Sequence, residues 1–321
     1  MNNSILKEIG FSHYDESTFY PKRVNLRKGK ETTIWVEAKS GHGILDIENW
    51  TSDSYYDEEY REEFSANSSG QKQETDEHFE IFKNLNKKQF DTFSNVLRKD
   101  TKFLEIGPSH GGILNNVLGY GVATCDVVEP NKQDSQYLKN KYPSVKIYNS
   151  LLEHADLVKD NYDVAVSFEV LEHTTNPAEF LTKIQQSLKK GGNVVLEVPN
   201  HNDVLLSCYK KNIGYKDFYY HKAHIHYFTE QSLKELCEKC GFEGEVTSFL
   251  VYPFFNNVFW HHNSGPQANA KLALETPVPT HGMSQAEFKI NNFFKKVELE
   301  YERLVNSNMV GDCLIYKGTK R

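Results

Sequence analysis

Glu105, Gly107, Pro108, Ser109 and Gly111 are the residues of this chain whose types and spacing most clearly suit chemistry. They lie in Lys102-Phe-Leu-Glu-Ile-Gly-Pro-Ser-His-Gly-Gly-Ile-Leu114, which reads as a buried strand, a small-residue turn, then the apolar start of a helix. Small residues at such a turn let backbone N–H groups approach a ligand beside a helix N-terminus. Glu105, two positions before the first glycine, would repel a pyrophosphate and attract a cation. A positively charged ligand is therefore expected. A second acid, Glu129, closes the apolar run Cys125 to Val128, about 20 residues past the turn, where doubly wound folds place the carboxylate that hydrogen-bonds ribose. Proton-transfer chemistry has its candidates too. His173 follows Glu169 and Glu172, and His221, His224 and His226 cluster in one short segment. Imidazole titrates near neutrality and suits a general base.

These residues need elements to hold them. Tyr162 to Phe168 reads as a strand whose end presents Glu169, Glu172 and His173, at the carboxyl end of the sheet where open α/β folds bind ligands. Asn176-Pro-Ala-Glu179 is a helix start, with Asn as cap and Pro in the first turn. That helix is expected to run to Lys189-Lys190 and stop at Gly191-Gly192, before a strand from Val194 to Val198. Thr229 is expected to cap the helix that follows the histidine cluster. If Tyr219 to Thr229 is extended, alternation puts His224 and His226 on one side and Ile225 on the other.

Composition narrows the function. The chain has 321 residues and a net charge of −7, with a notably acidic stretch from Asp46 to Glu80, which disfavours a nucleic-acid partner. No apolar run approaches a membrane span, no signal-peptide pattern is present, and five scattered cysteines suit a reducing cytosol, so a cytoplasmic protein is expected. Strand and helix patterns alternate from about residue 76 onward, predicting an α/β fold. Residues 1–75 form an N-terminal extension with a hairpin, Val24 to Leu26 against Thr32 to Ala38, and a Tyr-rich helix bearing Tyr55, Tyr56 and Tyr60. Residues 76–321 form the main domain, with a helical insertion at about 253–308.

Glu105-x-Gly-x-Ser-x-Gly111, Glu129, Glu169-Val-Leu-Glu-His173 and Leu188-Lys-Lys-Gly-Gly192, in that order, resemble the motifs of the class I S-adenosylmethionine (SAM) methyltransferases. The resemblance implies a Rossmann-like, doubly wound, seven-stranded sheet with an antiparallel last strand, formed by pairing Val246 to Tyr252 with Asp312 to Lys317. It implies SAM as cofactor and S-adenosylhomocysteine as product. Glu105 and the Gly107–Gly112 turn would receive the methionine moiety and Glu129 the ribose hydroxyls. Pro130, Ser150 and Leu151 would border the adenine, and Phe168 and Glu169 would lie under the sulfonium, with Tyr56 and Tyr60 closing over the pocket.

Residues 35–60 are similar to the N-terminal zinc-ribbon of some bacterial sugar methyltransferases, with Ala38 and Gly41 where the cysteines would stand. Thiolates hold structural zinc, so that site is absent. The lone Cys237-x-x-Cys240 reads as buried thiols. The ubiquinone-pathway O-methyltransferases resemble the chain around Glu169, Glu172 and His173, which would admit a divalent ion, but the reading adopted assigns no metal. The resemblance implies methyl transfer to a small-molecule acceptor, a sugar or nucleotide-sugar hydroxyl in cell-surface polysaccharide biosynthesis. The alternatives are a quinone or lipid-linked phenol, C- or N-methylation of a sugar, and a non-catalytic SAM-binding protein. A homodimer stays open.

Overall fold

Phe103, Leu104 and Ile106 are buried on both faces of β4 (Lys102–Ile106), as a central parallel strand requires. The structure, a computed structural model, describes residues 3–27, 30–50, 75–209, 213–275 and 284–321. Around β4 lie β5 (Thr124–Val128), β6 (Lys146–Tyr148), β7 (Tyr162–Phe168), β8 (Leu188–Pro199), β10 (Phe242–Phe249) and β11 (Cys313–Lys320). Their order is β10-β11-β8-β7-β4-β5-β6. β6, β5, β4, β7 and β8 run parallel, and β11 is antiparallel to both β8 and β10. This is the seven-stranded, doubly wound sheet with an antiparallel last strand that the motifs imply.

The remaining strands, β1 (Phe19–Asn25), β2 (Glu31–Glu37), β3 (Gly43–Leu45) and β9 (His226–Tyr227), form a second, antiparallel sheet. β9 comes from far along the chain and pairs Ile44 with His226. Leu6, Ile9, Phe11, Phe19 and Ile44 share one apolar cluster with Leu104, Leu196 and Phe228, and through them the N-terminal region packs onto the core of the large sheet. Each fully buried Leu, Ile or Phe there stabilises by about 1.5–3 kcal/mol. Tyr55, Tyr56, Tyr60 and the linker Ser65 to Gln73 lie outside the described residues.

Where Ala38 and Gly41 stand in place of cysteines, a carboxylate organises the turn instead. Glu37 Oε2 accepts from the amides of Lys39 and Ser40 and from the Ser40 hydroxyl, at 2.6–2.9 Å. Gly41, at φ +72°, completes the reversal.

The helices are α1 (Asn3–Glu8), α2 (Thr75–Asp91), α3 (Gly112–Tyr120), α4 (Lys132–Lys141), α5 (Pro177–Ser187), α6 (Val204–Ser207), α7 (Ile213–Tyr219), α8 (Glu230–Lys239), α9 (Phe254–Asn263), α10 (Ala270–Leu274) and α11 (Gln285–Ser307). The last three fall between β10 and β11. The caps are those the residue types predict. Asn176 Oδ1 accepts from the Glu179 amide at 3.0 Å, with Pro177 in the first turn, and Thr229 forms a capping box with Ser232. The C-terminus of α5 differs from expectation. The helix ends at Ser187, and Leu188 is extended and pairs with Tyr162, so Lys189 and Lys190 belong to β8. Burial of Leu188 in the sheet outweighs one further helical turn, and Lys189 bonds the Asp163 carboxylate across strands at 2.6 Å. No helix among the described residues is long and apolar enough to cross a membrane, and all five cysteines are free.

Candidate active site

β4 feeds a turn whose backbone only small residues tolerate. Gly107 has φ +71°, and a Cβ there would lie 2.5 Å from Val170 Cγ2. Ser109, the residue standing for a glycine, adopts φ +51° all the same. That conformation costs a non-glycine residue about 1–2 kcal/mol, and hydrogen bonding helps to hold it. The Ser109 amide donates to Glu129 Oε2 at 3.0 Å, while the Asn131 amide donates to Glu129 Oε1 at 2.9 Å. Glu129 thus sits just past the end of β5 and clamps the turn after β4. Asn131 in turn caps α4 through the Gln133 and Asp134 amides. Asn149 donates to the Glu129 and Pro130 carbonyls, fixing the chain after β6 against the same corner.

These strand ends enclose a cavity of about 590 Å3. Of the predicted cofactor residues, Gly107, Ser109, Glu129, Pro130, Leu151, Phe168 and Glu169 line it. Glu105, Pro108, Gly111 and Ser150 do not. Glu105 was expected as the acidic lip, but it is 3% exposed and lies behind the turn. β4 is buried on both faces, so a side chain two residues before the first glycine of the turn enters the core rather than the mouth. Burial, then the nearby Glu129 charge, push its carboxyl up to about 8. Sequence reasoning missed Phe82 of α2 and Thr174, Asn176 and Phe180, all on the cavity wall. An aromatic residue on an amphipathic helix gives no local sign that it faces a ligand.

Glu169 is the second strained residue of the wall, at φ +56°. Its amide donates to the Glu197 carbonyl at 3.0 Å, and its carboxylate accepts from the Cys313 thiol at 3.4 Å. It is exposed to the cavity yet walled by protein, and burial, with a contribution from Asp312 and opposed by the Cys313 bond, raises it to about 7. Left-handed non-glycine residues of this kind cluster at functional sites.

The methyltransferase domain family matches residues 77–246, which is more than half of the chain and includes the turn, both cavity acids and the histidine segment. The chain belongs to this family. The chain is 28% identical over 111 residues to a protein of Mycolicibacterium smegmatis named as a probable S-adenosylmethionine-dependent methyltransferase, covering 35% of this chain and 40% of that one. It is also 28% identical over 136 residues to a ubiquinone biosynthesis O-methyltransferase of Aeromonas salmonicida, covering 40% of this chain and 55% of its relative. The chain thus spans about half the length of these curated relatives. Among solved structures, a SAM dependent methyltransferase of Archaeoglobus fulgidus superposes with a TM-score of 0.49 at 16% identity, over 74% of this chain and 94% of that one. The cofactor of the family is SAM, and the residues of this cavity fit it. A carboxylate at the cavity corner can accept from hydroxyl groups, and at Gly107 the turn has no room for a side chain.

Of the four histidines predicted as bases, the fold brings only His173 to the cavity wall. His173 Nδ1 lies 2.7 Å from the Ala223 carbonyl, and burial lowers its pKa to about 4. His224 stacks edge-on against it, with ring centroids 4.8 Å apart, and His221 lies against His224 at 3.7 Å. Burial and neighbouring positive charge hold both well below the usual histidine range. His226 is elsewhere. It is 1% exposed, 3.2 Å from His42 Nε2, stacked on Phe11 and lowered to about 3 by burial. His224 and His226 therefore meet different partners, and Tyr219 to Thr229 is not extended throughout. A turn at Lys222-Ala223, closed by the His224 amide on the His221 carbonyl, breaks the extended segment, and the strand begins only at His226.

A second cavity of about 700 Å3 lies beside β1, with Lys22, His201 and Tyr220 in its wall. None of the predicted site residues lines it.

Proposed function

We propose that this methyltransferase transfers a methyl group from SAM to a hydroxyl of a small polyhydroxylated acceptor, a sugar or nucleotide-sugar, in the cytoplasm. The observation that carries the proposal is the Glu129 carboxylate at the corner of the cavity, bonded to the Ser109 amide, with Glu169 and His173 in the wall of the same cavity. SAM, when bound, supplies an electrophilic methyl group on a sulfonium. Glu129 would accept from the ribose hydroxyls, and Gly107 and Ser109 would let the backbone close on the methionine portion. Phe168 and Glu169 would lie toward the sulfonium, where a carboxylate favours positive charge. The enzyme's main task is in-line alignment and exclusion of water. An alcohol must also lose its proton, and Glu169 and His173 are the titratable groups of the predicted set on that wall.

Support for a polyhydroxylated acceptor comes from the polar side of the cavity, lined by Thr174, Thr175 and Glu179. The similarity to the N-terminal region of sugar methyltransferases supports it too. A second reading, a quinone or phenol acceptor, is favoured by the similarity to a protein named ubiquinone biosynthesis O-methyltransferase and by Phe82 and Phe180 in the wall. Incubation with SAM and panels of nucleotide-sugars and of phenols, read by mass spectrometry for a methylated product, separates the two. Failure of both panels, with SAM still bound, would point to a non-catalytic binder.

The histidines separate in the same assay. His173→Ala is expected to lower turnover at least tenfold with S-adenosylhomocysteine affinity kept. His226→Ala is expected to leave turnover per folded molecule unchanged and to lower the melting temperature, because it leaves a cavity beside Phe11 and removes a partner of His42. Lost turnover in well-folded His226→Ala would overturn its structural assignment.

A further inference from the structure

We infer that Glu172, His173 and His224 together hold a divalent cation at the wall of the cavity. Glu172 Oε1 lies 3.6 Å from His173 Nε2 and 3.8 Å from His224 Nε2. The three donor atoms all fall within 4.8 Å of one another. The oxygen–nitrogen separations exceed a hydrogen bond, whose N···O distance is about 2.7–3.2 Å. They suit two ligands that share one ion at about 2.1 Å each.

The carboxylate supplies an independent observation. Glu172 is 0% exposed, and neither of its oxygens meets a hydrogen-bond partner. An isolated buried carboxylate is strongly disfavoured. Protonation alone would leave a carboxyl proton with both imidazole nitrogens beyond hydrogen-bond distance, whereas a cation satisfies the carboxylate. The imidazoles are prepared for it. The Ala223 carbonyl, 2.7 Å from His173 Nδ1, takes that proton and leaves Nε2 with its lone pair. Ala223 precedes His224, so one turn orients one ligand and supplies another.

This set differs from the one around Glu169, Glu172 and His173 that the ubiquinone-pathway resemblance would admit. The Glu169 carboxylate gathers with Glu197 and Cys313 instead. Two imidazoles and one carboxylate suit Zn2+, Mn2+, Fe2+ or Co2+ rather than Ca2+.

The chemical role rests on the methyl-transfer proposal. His173 lines the cavity, so an ion held on its Nε2 would stand at the cavity wall, and His173 would then act as a ligand and not as the proton acceptor. An acceptor hydroxyl that ligates the ion would lose its proton to water. Its oxygen then forms a C–O bond to the methyl as the C–S bond breaks and the electron pair returns to sulfur.

The test uses the full chain, stripped by a chelator and titrated with Co2+. One Co2+ per chain is expected, with visible d–d absorption. In Glu172→Gln and His224→Ala the affinity should fall by at least about 100-fold, beyond the 10–100-fold that altering an outer partner costs. Absorption unchanged in both variants, or wild-type binding no tighter than theirs, overturns the site. The wild-type chain alone gives a second readout. Pulsed electron paramagnetic resonance of bound Cu2+ should detect two imidazole nitrogens, and one or none overturns the site. S-adenosylhomocysteine binding, measured in parallel, keeps the two proposals apart. Its presence without metal binding removes the cation alone, and its absence removes the donor reading.

Discussion

Glu129→Ala is expected to weaken S-adenosylhomocysteine binding by about 100-fold or more while the chain still folds. Each hydrogen bond from a ribose hydroxyl to a carboxylate contributes about 1.5–3 kcal/mol, and two of them exceed the roughly 2.8 kcal/mol of a 100-fold change. The Ser109 and Asn131 amides each donate to one carboxylate oxygen, and a carboxylate oxygen can accept more than one hydrogen bond. The substitution also frees those two amides and so loosens the turn, adding to the loss. Glu129→Gln tests this, because its single carbonyl oxygen can satisfy one amide only. An intermediate affinity is expected. Calorimetry on both variants, beside circular dichroism for the fold, checks the result. Affinity equal to wild type in Glu129→Ala would remove this residue from the cofactor site.

Glu105→Gln is expected to change how stability depends on pH. In the folded chain the carboxyl is raised to about 8, above an ordinary value of 4.5, by burial and then by the Glu129 charge. Between those two values the folded state binds more protons than the unfolded state. The contribution of this group to stability is therefore fully kept below pH 4.5 and is lost as pH rises toward 8. The slope approaches about 1.4 kcal/mol per pH unit. An amide has no such slope. From pH 5.5 to 7.5 the variant should gain about 2–3 kcal/mol relative to wild type, whatever constant offset the substitution introduces. Denaturant unfolding at the two pH values measures the difference. A constant offset with no relative gain would show that Glu105 is ionised in the folded protein.

Much of this molecule was legible in its sequence. Gly107 to Gly112 signalled a turn because glycine tolerates positive φ. Asn176 and Thr229 signalled helix starts because a short polar side chain satisfies amides only two or three residues ahead. The parallel strands announced themselves as short apolar runs, and Glu129 as the acid that ends one of them. Each of these signals depends on neighbours within one or two turns of chain.

Tertiary structure alone decided the rest. Glu105 lies behind the turn because β4 is covered on both faces, a fact about the whole sheet. His226 joins His42 and Phe11 because β3, more than 180 residues earlier, pairs with β9. His224 meets Glu172 and His173 because a turn at Lys222-Ala223 interrupts an apparent alternation. Tyr162 at one end of β7 drew Leu188 out of its expected helix. Backbone conformation is set by local sterics and capping, so residue types reveal it. Which distant side chains share a buried space depends on how faces pack, and that is settled only when the sheets close on one another.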